Sequence, residues 1–180
     1  MDTKERVCIF IDGSNFYHCL RKDICDVRVD FQKLSNELCG KDRRLIRAYY
    51  YNAPLDMSRD KEKYKKQQQF FDTLRKMPNF KVILVRMQKR TIDGKAYYVV
   101  KGDDIHIAVD MVMLAQNNSY DTAILVSGDG DFMPAVEAVQ SFGKRVENAY
   151  FKTGHSWYLR QACDVSILID RDFIQKCILK

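Results

Sequence analysis

Short apolar runs alternate with longer amphipathic stretches along this 180-residue chain. Continuous apolar strands are typical of sheets that are covered on both faces, whereas half-exposed strands alternate polar and apolar residues. Because helical patterns separate the runs, the sequence predicts an α/β fold with a mostly parallel central sheet. The runs with the length and composition of buried strands are Arg6–Ile11, Arg44–Tyr51, Phe80–Gln88, Thr122–Ser127 and Arg145–Phe151.

Apolar periodicity and breaker residues place helices between most of these runs. The segment Lys89–Val100 differs, because Asp93-Gly94 is a hairpin-type turn and predicts a small antiparallel excursion. Ser166–Ile169 is a candidate for a last edge strand. The predicted helices are Phe31–Cys39, Arg59–Met77, Asp103–Gln116, Phe132–Phe142 and Ser156–Ala162.

The length and the cysteines indicate one cytoplasmic domain over residues 1–180. A chain of this length buries enough surface to fold without covalent cross-links. None of the six cysteines forms a CxxC pair and no histidine has zinc-finger spacing, so free thiols in a reducing cytosol are the simplest interpretation. The first residues lack signal-peptide architecture and the apolar runs are too short to span a membrane, so we expect no membrane partner.

The basic residues are concentrated in one part of the chain. Residues 41–101 hold 17 Lys and Arg against 6 Asp and Glu, while the other residues hold 13 against 18. A basic segment beside an acidic remainder is typical of a surface that binds a polyanion such as RNA, although a merely solvated helix face is the alternative. The candidate nucleic-acid contacts are Lys63, Lys65, Lys66, Arg86, Lys89, Arg90 and Lys101.

Acidic residues follow two of the predicted strands. Asp12 comes at the end of the first run, and Asp129 and Asp131 follow the fourth. Asp103 and Asp104 begin the apolar helix. Ligands of open parallel sheets bind beyond the carboxyl ends of the strands, and clustered carboxylates repel one another unless a cation neutralises them. Mg²⁺ and Mn²⁺ prefer oxygen ligands and can activate water next to a phosphate.

Each acid also has a structural interpretation. Asp12 and Asp131 could be helix N-caps, and Asp104 a first-turn acid that complements the helix dipole. The metal-site interpretation depends on the acids coming together at one edge of the sheet.

Other kinds of site fit the sequence less well. An EF-hand loop beginning at Asp129 would have Met133 and Gln140 at ligand positions, and no glycine-rich loop predicts a small-molecule nucleotide cofactor. His18, His106 and His155 lie in no recognisable catalytic context, so we expect surface or packing roles for them.

Three stretches of the sequence resemble the signatures of NYN domains, in the LabA-like bacterial branch of that family. They are VCIFIDGSNFYHCL, KGDDIHIAVDMVMLA and AILVSGDGDFMPAVEAVQSFGKRV, in the family's order, and the similarity extends over most of the chain. The resemblance implies a PIN-like Rossmannoid three-layer sandwich, with strand order 3-2-1-4-5 when the apolar runs are numbered along the chain. It also implies a ribonuclease that depends on Mg²⁺ or Mn²⁺.

The resemblance implies roles for residues at the two strand ends. Asp12 matches the acid of the first strand and Asn15 the amide that accompanies it. Asp129 and Asp131 match the pair of acids after the fourth strand, and Ser127 is placed to assist by hydrogen bonding.

The apolar helix adds further acids. Asp104 matches the acid three residues after the family's lysine, here Lys101, and Asp110 matches another acid of the helix. The visible departure is Asp103, where the family usually has an apolar residue. Six residues of helix correspond to about 9 Å of rise, so we assign Asp104 to the metal and Asp110 to a supporting role. We expect Asp110 to be partnered by a Lys, an Asn or a backbone N–H.

We therefore predict hydrolysis of an RNA phosphodiester by a metal-activated water, with one or two ions held by Asp12, Asp104, Asp129 and Asp131. Asn15 would orient a water ligand or a phosphate. Two alternatives stay open: an RNA-binding regulatory module with little or no turnover, and a metal-dependent phosphatase that acts on small phosphate esters. The sequence leaves homo-oligomerisation open.

Overall fold

The computed structural model describes residues 4–25, 27–85, 87–92, 95–100 and 102–179. The side chains of residues 87–92, 95–100 and 103 lie outside that description. The predicted turn Asp93-Gly94 and the predicted RNA contacts Arg86 and Lys101 lie outside the described residues, as do the side chains of Lys89 and Arg90.

The strands separate into a large parallel sheet and a small hairpin-like pair. They are β1 (Arg6–Asp12), β2 (Arg44–Asn52), β3 (Phe80–Leu84), β4 (Met87–Ile92), β5 (Lys95–Val100), β6 (Thr122–Val126), β7 (Arg145–Tyr150) and β8 (Val165–Leu168). The large sheet is parallel throughout, in the order β3-β2-β1-β6-β7-β8, and β4 pairs with β5 antiparallel. With the five apolar runs numbered along the chain, the predicted order 3-2-1-4-5 corresponds to β3-β2-β1-β6-β7 and is confirmed. Strand β8 follows β7 at the edge of the sheet.

One predicted strand is wrong. Phe80–Gln88 is expected from its apolar pattern to be continuous, but β3 ends at Leu84 and the backbone from Met87 onwards pairs with β5 instead. The apolar run is a poor guide here, because a strand of the large sheet and the adjoining strand of the antiparallel pair follow each other with little polar interruption.

Helices cover both faces of the sheet. They are α1 (Gly13–Asp23), α2 (Phe31–Cys39), α3 (Lys61–Arg75), α4 (Asp103–Gln116), α5 (Met133–Ser141), α6 (Trp157–Ala162) and α7 (Arg171–Gln175), with a 3₁₀ turn at Gly130–Phe132 before α5. The bounds predicted for α2 and α4 are confirmed. Helix α3 begins two residues later than predicted, because the Asp60 carboxylate accepts from the Lys63 N–H and caps its start, and it ends at Arg75 instead of Met77. Helices α1 and α7 were not predicted.

Two apolar cores bind these helices to the sheet. Phe16, Leu34, Phe71 and Ile174 pack α1, α2, α3 and α7 on one face. Ile107, Met111, Val136, Val139 and Leu159 pack α4, α5 and α6 on the other. The result is the three-layer α/β sandwich that was predicted. Among the described residues, no helix is both long and apolar enough to cross a lipid bilayer.

The order of the strands defines where a site is expected. From β1 the chain adds β2 and β3 on one side, and then returns to add β6, β7 and β8 on the other. The switch point is therefore the boundary between β1 and β6, where the crossover segments diverge and leave a crevice at the carboxyl ends. Ile11 pairs with Val126, so Asp12 and Ser127 leave the sheet at the same level.

At the amino-terminal ends of the strands, an ion pair joins the two central strands. The Arg6 guanidinium donates to both carboxylate oxygens of Asp121, at 3.0 and 2.7 Å, and also to the carbonyl oxygen of Asn118. These contacts join the start of β1 to the loop before β6. The hydrogen bonds from Arg6 lower the pKa of Asp121 from 3.8 to about 2.

This lowered pKa predicts a defined loss of stability in acid. Because the carboxylate is favoured in the folded state, its contribution is complete above about pH 4 and is lost as the pH falls towards 2. The difference in free energy of unfolding between the parent and Asp121→Asn should shrink over that interval, as measured by urea unfolding at each pH. Glu137→Gln, at an exposed acid of α5, is the control. A parent–Asp121→Asn difference that does not change with pH would contradict the assignment.

Candidate metal centre

A cleft of about 360 Å³ opens at the switch point, at the carboxyl ends of β1 and β6. It is lined by Asp12, Ser14, Asn15, His18, Cys19, Asp104 and Asp129. The fold thus brings together acids from the end of β1, from the loop after β6 and from the first turn of α4. These are three of the four predicted metal ligands, and they come from segments that are far apart in the sequence.

Asp12 has two hydrogen-bonding roles at the floor of this cleft. One carboxylate oxygen accepts from the backbone N–H of Asn15 at 2.9 Å, which caps α1. The other accepts from the Ser127 hydroxyl at 3.0 Å, and only 5% of the Asp12 surface is exposed. Asp12 is therefore a helix cap and a cleft acid at once, and these two interpretations do not exclude each other.

The loop after β6 is held by a chain of hydrogen bonds. The Ser127 hydroxyl accepts from the Asp129 N–H at 3.2 Å, and the Asn15 side-chain oxygen accepts from the Gly128 N–H at 3.2 Å. The Asp129 carboxylate accepts from the Asp131 N–H at 3.0 Å. Asp129 therefore lines the cleft, and hydrogen bonds fix the backbone before and after it.

Close backbone packing also fixes this loop. A Cβ atom on Gly128 would overlap the carbonyl oxygen of Gly154, in the loop between β7 and α6. Gly154 itself has a φ of +75°, in the left-handed region that favours glycine. The Ser156 N–H donates to the Gly128 carbonyl oxygen at 2.8 Å. The two loops therefore form one packed unit beside the cleft.

The other predicted site acids occupy different places. Asp131 lies exposed in the 3₁₀ turn and is not among the residues that line the cleft, so its role in metal binding stays a prediction. The N-cap of that turn is Asp129, in place of the Asp131 cap that we considered. The side chain of Asp103 lies outside the described residues.

Sequence reasoning missed three residues of the cleft wall: Ser14, His18 and Cys19. The histidine is expected from the sequence to be a surface or packing residue; it is exposed, but it also lines the cleft. All three residues lie on α1, and this helix was not predicted. Once a helix begins at Gly13, residues three and four positions after Asn15 share its face.

The chemistry of the donor set favours a hard cation. The Cys19 thiol donates to the Thr153 carbonyl oxygen at 3.2 Å, and burial raises its pKa, so the sulfur stays protonated and is a poor ligand. Carboxylates are the principal donors that remain. Among the described residues, no three His, Cys, Asp or Glu side chains are grouped closely enough to hold one ion. An ion held by Asp12, Asp104 and Asp129 would therefore keep several water ligands, as Mg²⁺ does.

Asp110 forms a hydrogen bond with the sheet and is not among the residues that line the cleft, so its supporting role stays a prediction. The Tyr51 hydroxyl donates to its carboxylate at 2.7 Å, across the contact between β2 and α4. The partner is a phenol, so the expectation of a Lys, an Asn or a backbone N–H was wrong. Burial and this hydrogen bond raise the pKa of Tyr51. The phenol therefore stays neutral and donates.

The predicted RNA-binding lysines that the structure describes lie on α3. This helix follows the carboxyl end of β2, so its first turns lie near the carboxyl ends of the strands, where the cleft also lies. Lys63 and Lys65 form exposed ion pairs with Asp60 and Glu62, at 3.1 and 3.7 Å. Lys66 is exposed, and within the described part of the chain it has no carboxylate partner. The end of the helix, at Arg75, lies about 20 Å from its start, near the amino-terminal ends of the strands.

The hydrogen bond between Tyr51 and Asp110 generates a stability prediction. Asp110→Ala leaves a buried hydroxyl without its acceptor, which costs about 1–3 kcal/mol of unfolding free energy. Asp110→Asn keeps an acceptor and should be less destabilising. Adding Tyr51→Phe to Asp110→Ala should recover part of the stability, because both polar partners are then gone. Urea unfolding of the three variants measures this, and equal destabilisation by Ala and Asn would contradict the assigned role.

Comparisons with known proteins identify the family and the fold. The NYN domain family model matches residues 6–170. A crystal structure of a protein of unknown function from Vibrio parahaemolyticus superimposes with a TM-score of 0.75 and 28% identity, covering 99% of each chain.

Two relatives are similar in sequence. Low amplitude and bright protein LabA of Synechococcus elongatus is 28% identical over 95% of this chain and 88% of its own length. Uncharacterized protein MJ0482 of Methanocaldococcus jannaschii is 34% identical over 39% of this chain and 29% of its own length. The match of the family model over residues 6–170 shows that this chain belongs to the NYN domain family, whose domains are PIN-like and of nuclease type.

Proposed function

We propose that this protein is a ribonuclease that depends on Mg²⁺ or Mn²⁺ and hydrolyses RNA phosphodiester bonds. The observation that supports the proposal is the meeting of Asp12, Asp104 and Asp129 around one cleft at the switch point of an NYN domain. Such a site needs a counter-charge, since neighbouring carboxylates repel one another. A hydrated divalent cation supplies that counter-charge and can also bind an oxygen of the RNA phosphate.

Asp12, Asp104 and Asp129 would hold one or two ions, and Asp131, exposed in the 3₁₀ turn after Asp129, is proposed as a fourth ligand. Bound there, such an ion would lower the pKa of a water molecule and neutralise charge on the phosphate.

The remaining residues position the acids and the phosphate. Ser127 donates to Asp12 and accepts from the Asp129 N–H, so one hydroxyl sets the orientation of both acids. The Asn15 oxygen is engaged by the Gly128 N–H, which leaves its Nδ2 group as the donor for a phosphate oxygen. Ser127 is thus a positioning residue, and Asn15 a candidate for direct contact with substrate.

The start of α3 supplies cations for the RNA backbone. Its lysines lie at the same edge of the sheet as the cleft, and their ion pairs with Asp60 and Glu62 are exposed. Exposed pairs of this kind contribute little free energy, so the lysines can exchange a carboxylate for a phosphate. Lys63, Lys65 and Lys66 are therefore the proposed contacts. A cytoplasmic location, with the cysteines as free thiols, is part of the same proposal.

Cleavage of RNA by the purified protein should require Mg²⁺ or Mn²⁺ and stop with EDTA. Asp129→Asn and Asp104→Asn should each lower the rate at least about 100-fold, because each removes an anionic ligand and little volume. Asp129→Asn is the sharper test, since an asparagine oxygen can still accept from the Asp131 N–H. Asp12→Asn should abolish activity too, but with some destabilisation, because an amide has one oxygen and cannot accept from both the Asn15 N–H and the Ser127 hydroxyl.

The controls separate this proposal from its alternatives. Asp110→Asn should retain most activity, which distinguishes a ligand from a supporting acid. Unchanged cleavage by Asp104→Asn and Asp129→Asn, in preparations free of other nucleases, would overturn the metal assignment. RNA binding without turnover under any ion would favour a regulatory module, and hydrolysis of a chromogenic phosphomonoester instead of RNA would favour a phosphatase.

Two matched pairs of substitutions test the basic surface. Lys63→Ala/Lys66→Ala removes two charges at the start of α3, and Arg75→Ala/Lys76→Ala removes two at its far end. Each pair contains one ion-paired residue, bound to Asp60 or to Asp72. The first variant should bind RNA more weakly and with a shallower salt dependence. The log–log slope should fall by about 0.7 for each phosphate that the variant no longer neutralises.

The second variant should bind like the parent, because its charges lie near the amino-terminal ends of the strands, away from the cleft. Affinity and salt dependence are measured by titration of fluorescent RNA at several salt concentrations. If both variants bind more weakly by the same factor, the charge acts at long range and α3 does not contact RNA. If neither binds more weakly, the RNA path lies elsewhere.

A further inference from the structure

Two large aromatic side chains lie exposed at the start of α6. Trp157 is 60% exposed and Tyr158 is 67% exposed. Their ring centroids are 5.3 Å apart and the ring planes are at 85°, so the two faces point in different directions. Leaving two adjacent aromatic rings in water is unfavourable, and exposed aromatic groups of this kind commonly mark binding surfaces.

The aromatic pair is joined to the candidate metal centre by the packed loops. The Ser156 N–H donates to the Gly128 carbonyl oxygen, and Gly128 precedes the cleft acid Asp129. With 3.8 Å between consecutive Cα atoms, the Cα atoms of Trp157 and Asp129 lie within about 13 Å. The exposed rings are therefore a few nucleotides at most from the proposed point of cleavage.

The aromatic pair is held on a rigid base. The Ser156 hydroxyl accepts from the Leu159 N–H and caps α6, while Leu159 is fully buried. The Arg160 guanidinium lies over the ring of Tyr150, 4.3 Å from its centre. Because the backbone of α6 is fixed by these contacts, little backbone entropy is lost when a planar group stacks on the rings.

We propose that Trp157 and Tyr158 stack the unpaired bases of the RNA substrate, and that the protein therefore prefers single-stranded RNA. This inference rests on the proposed ribonuclease function. Aromatic rings stack on splayed-out bases regardless of sequence, whereas the bases of a duplex already stack on each other and expose only their edges. Lys152, five residues before Trp157 in the same loop, is exposed, and its positive charge favours a polyanion over an apolar protein surface.

The sequence offers a direct probe, because Trp157 is the single tryptophan of the chain. Its fluorescence in the Asp129→Asn protein, with EDTA present, reports stacking without cleavage. Titration with single-stranded oligoadenylate should quench the emission. The same oligoadenylate annealed to oligouridylate should quench it much less at equal nucleotide concentration.

Substitutions test whether stacking supports binding. Trp157→Ala and Tyr158→Ala should each weaken binding of fluorescently labelled oligoadenylate by about 5- to 150-fold, the range expected when one base no longer stacks. Trp157→Phe should retain most affinity, because it keeps an aromatic face. Phe142→Ala is the matched control: it removes an exposed aromatic ring at the far end of α5, away from the cleft. Thermal unfolding checks that each variant is folded.

The outcomes separate this inference from the proposed function. Metal-dependent cleavage that is equal for single-stranded and duplex RNA, with no quenching and no effect of Trp157→Ala, would overturn the stacking role and leave the ribonuclease proposal standing. Quenching by single strands without cleavage under any ion would support the stacking role and overturn the ribonuclease. Emission that shifts with protein concentration in the absence of RNA, together with a change in oligomeric state on Trp157→Ala, would assign the rings to a protein interface and overturn the proposal.

Discussion

The carboxylate of Asp12 joins the parts of the protein on which the candidate site depends. Its two oxygens bind the first turn of α1 and the hydroxyl at the end of β6, so the carboxylate connects the two central strands where their crossovers diverge. A buried carboxylate is costly unless it is hydrogen-bonded, and here the bonds that satisfy it also position the other acids. The geometry of Asp129 and Asn15 follows from this arrangement, since both are linked to it through Ser127 and Gly128.

The protein separates opposite charges at one edge of its sheet. The acids lie inside the crevice at the switch point, whereas the lysines of α3 stand on the helix that begins beside β2. A chain with a net charge of +6 can therefore attract a polyanion and still present an acidic pocket to it. The Asn15 side chain lines the cleft as well, and its Nδ2 is an uncharged hydrogen-bond donor among the acids.

Much of the fold and part of the site could be predicted from the sequence, for physical reasons. Continuous apolar strands identify a covered parallel sheet, and acids directly after β1 and β6 must meet because those strands are neighbours. The wall formed by His18 and Cys19 was missed, since it depends on a helix whose mean polarity conceals its apolar face. The hydroxyl partner of Asp110 was missed as well: Tyr51 belongs to β2, and only the packing of α4 on that strand brings the two together.

The close approach of Gly128 and Gly154 limits how the molecule can change. Because there is no room for a single methyl group between the two backbones, the loop after β6 and the loop after β7 cannot slide past each other without separating. The acidic loop and the start of α6, which carries the aromatic pair, are consequently packed closely together. A bound strand would have to conform to that spacing, so the distance between a stacked base and the scissile bond would be set by the protein and would be the same for every RNA.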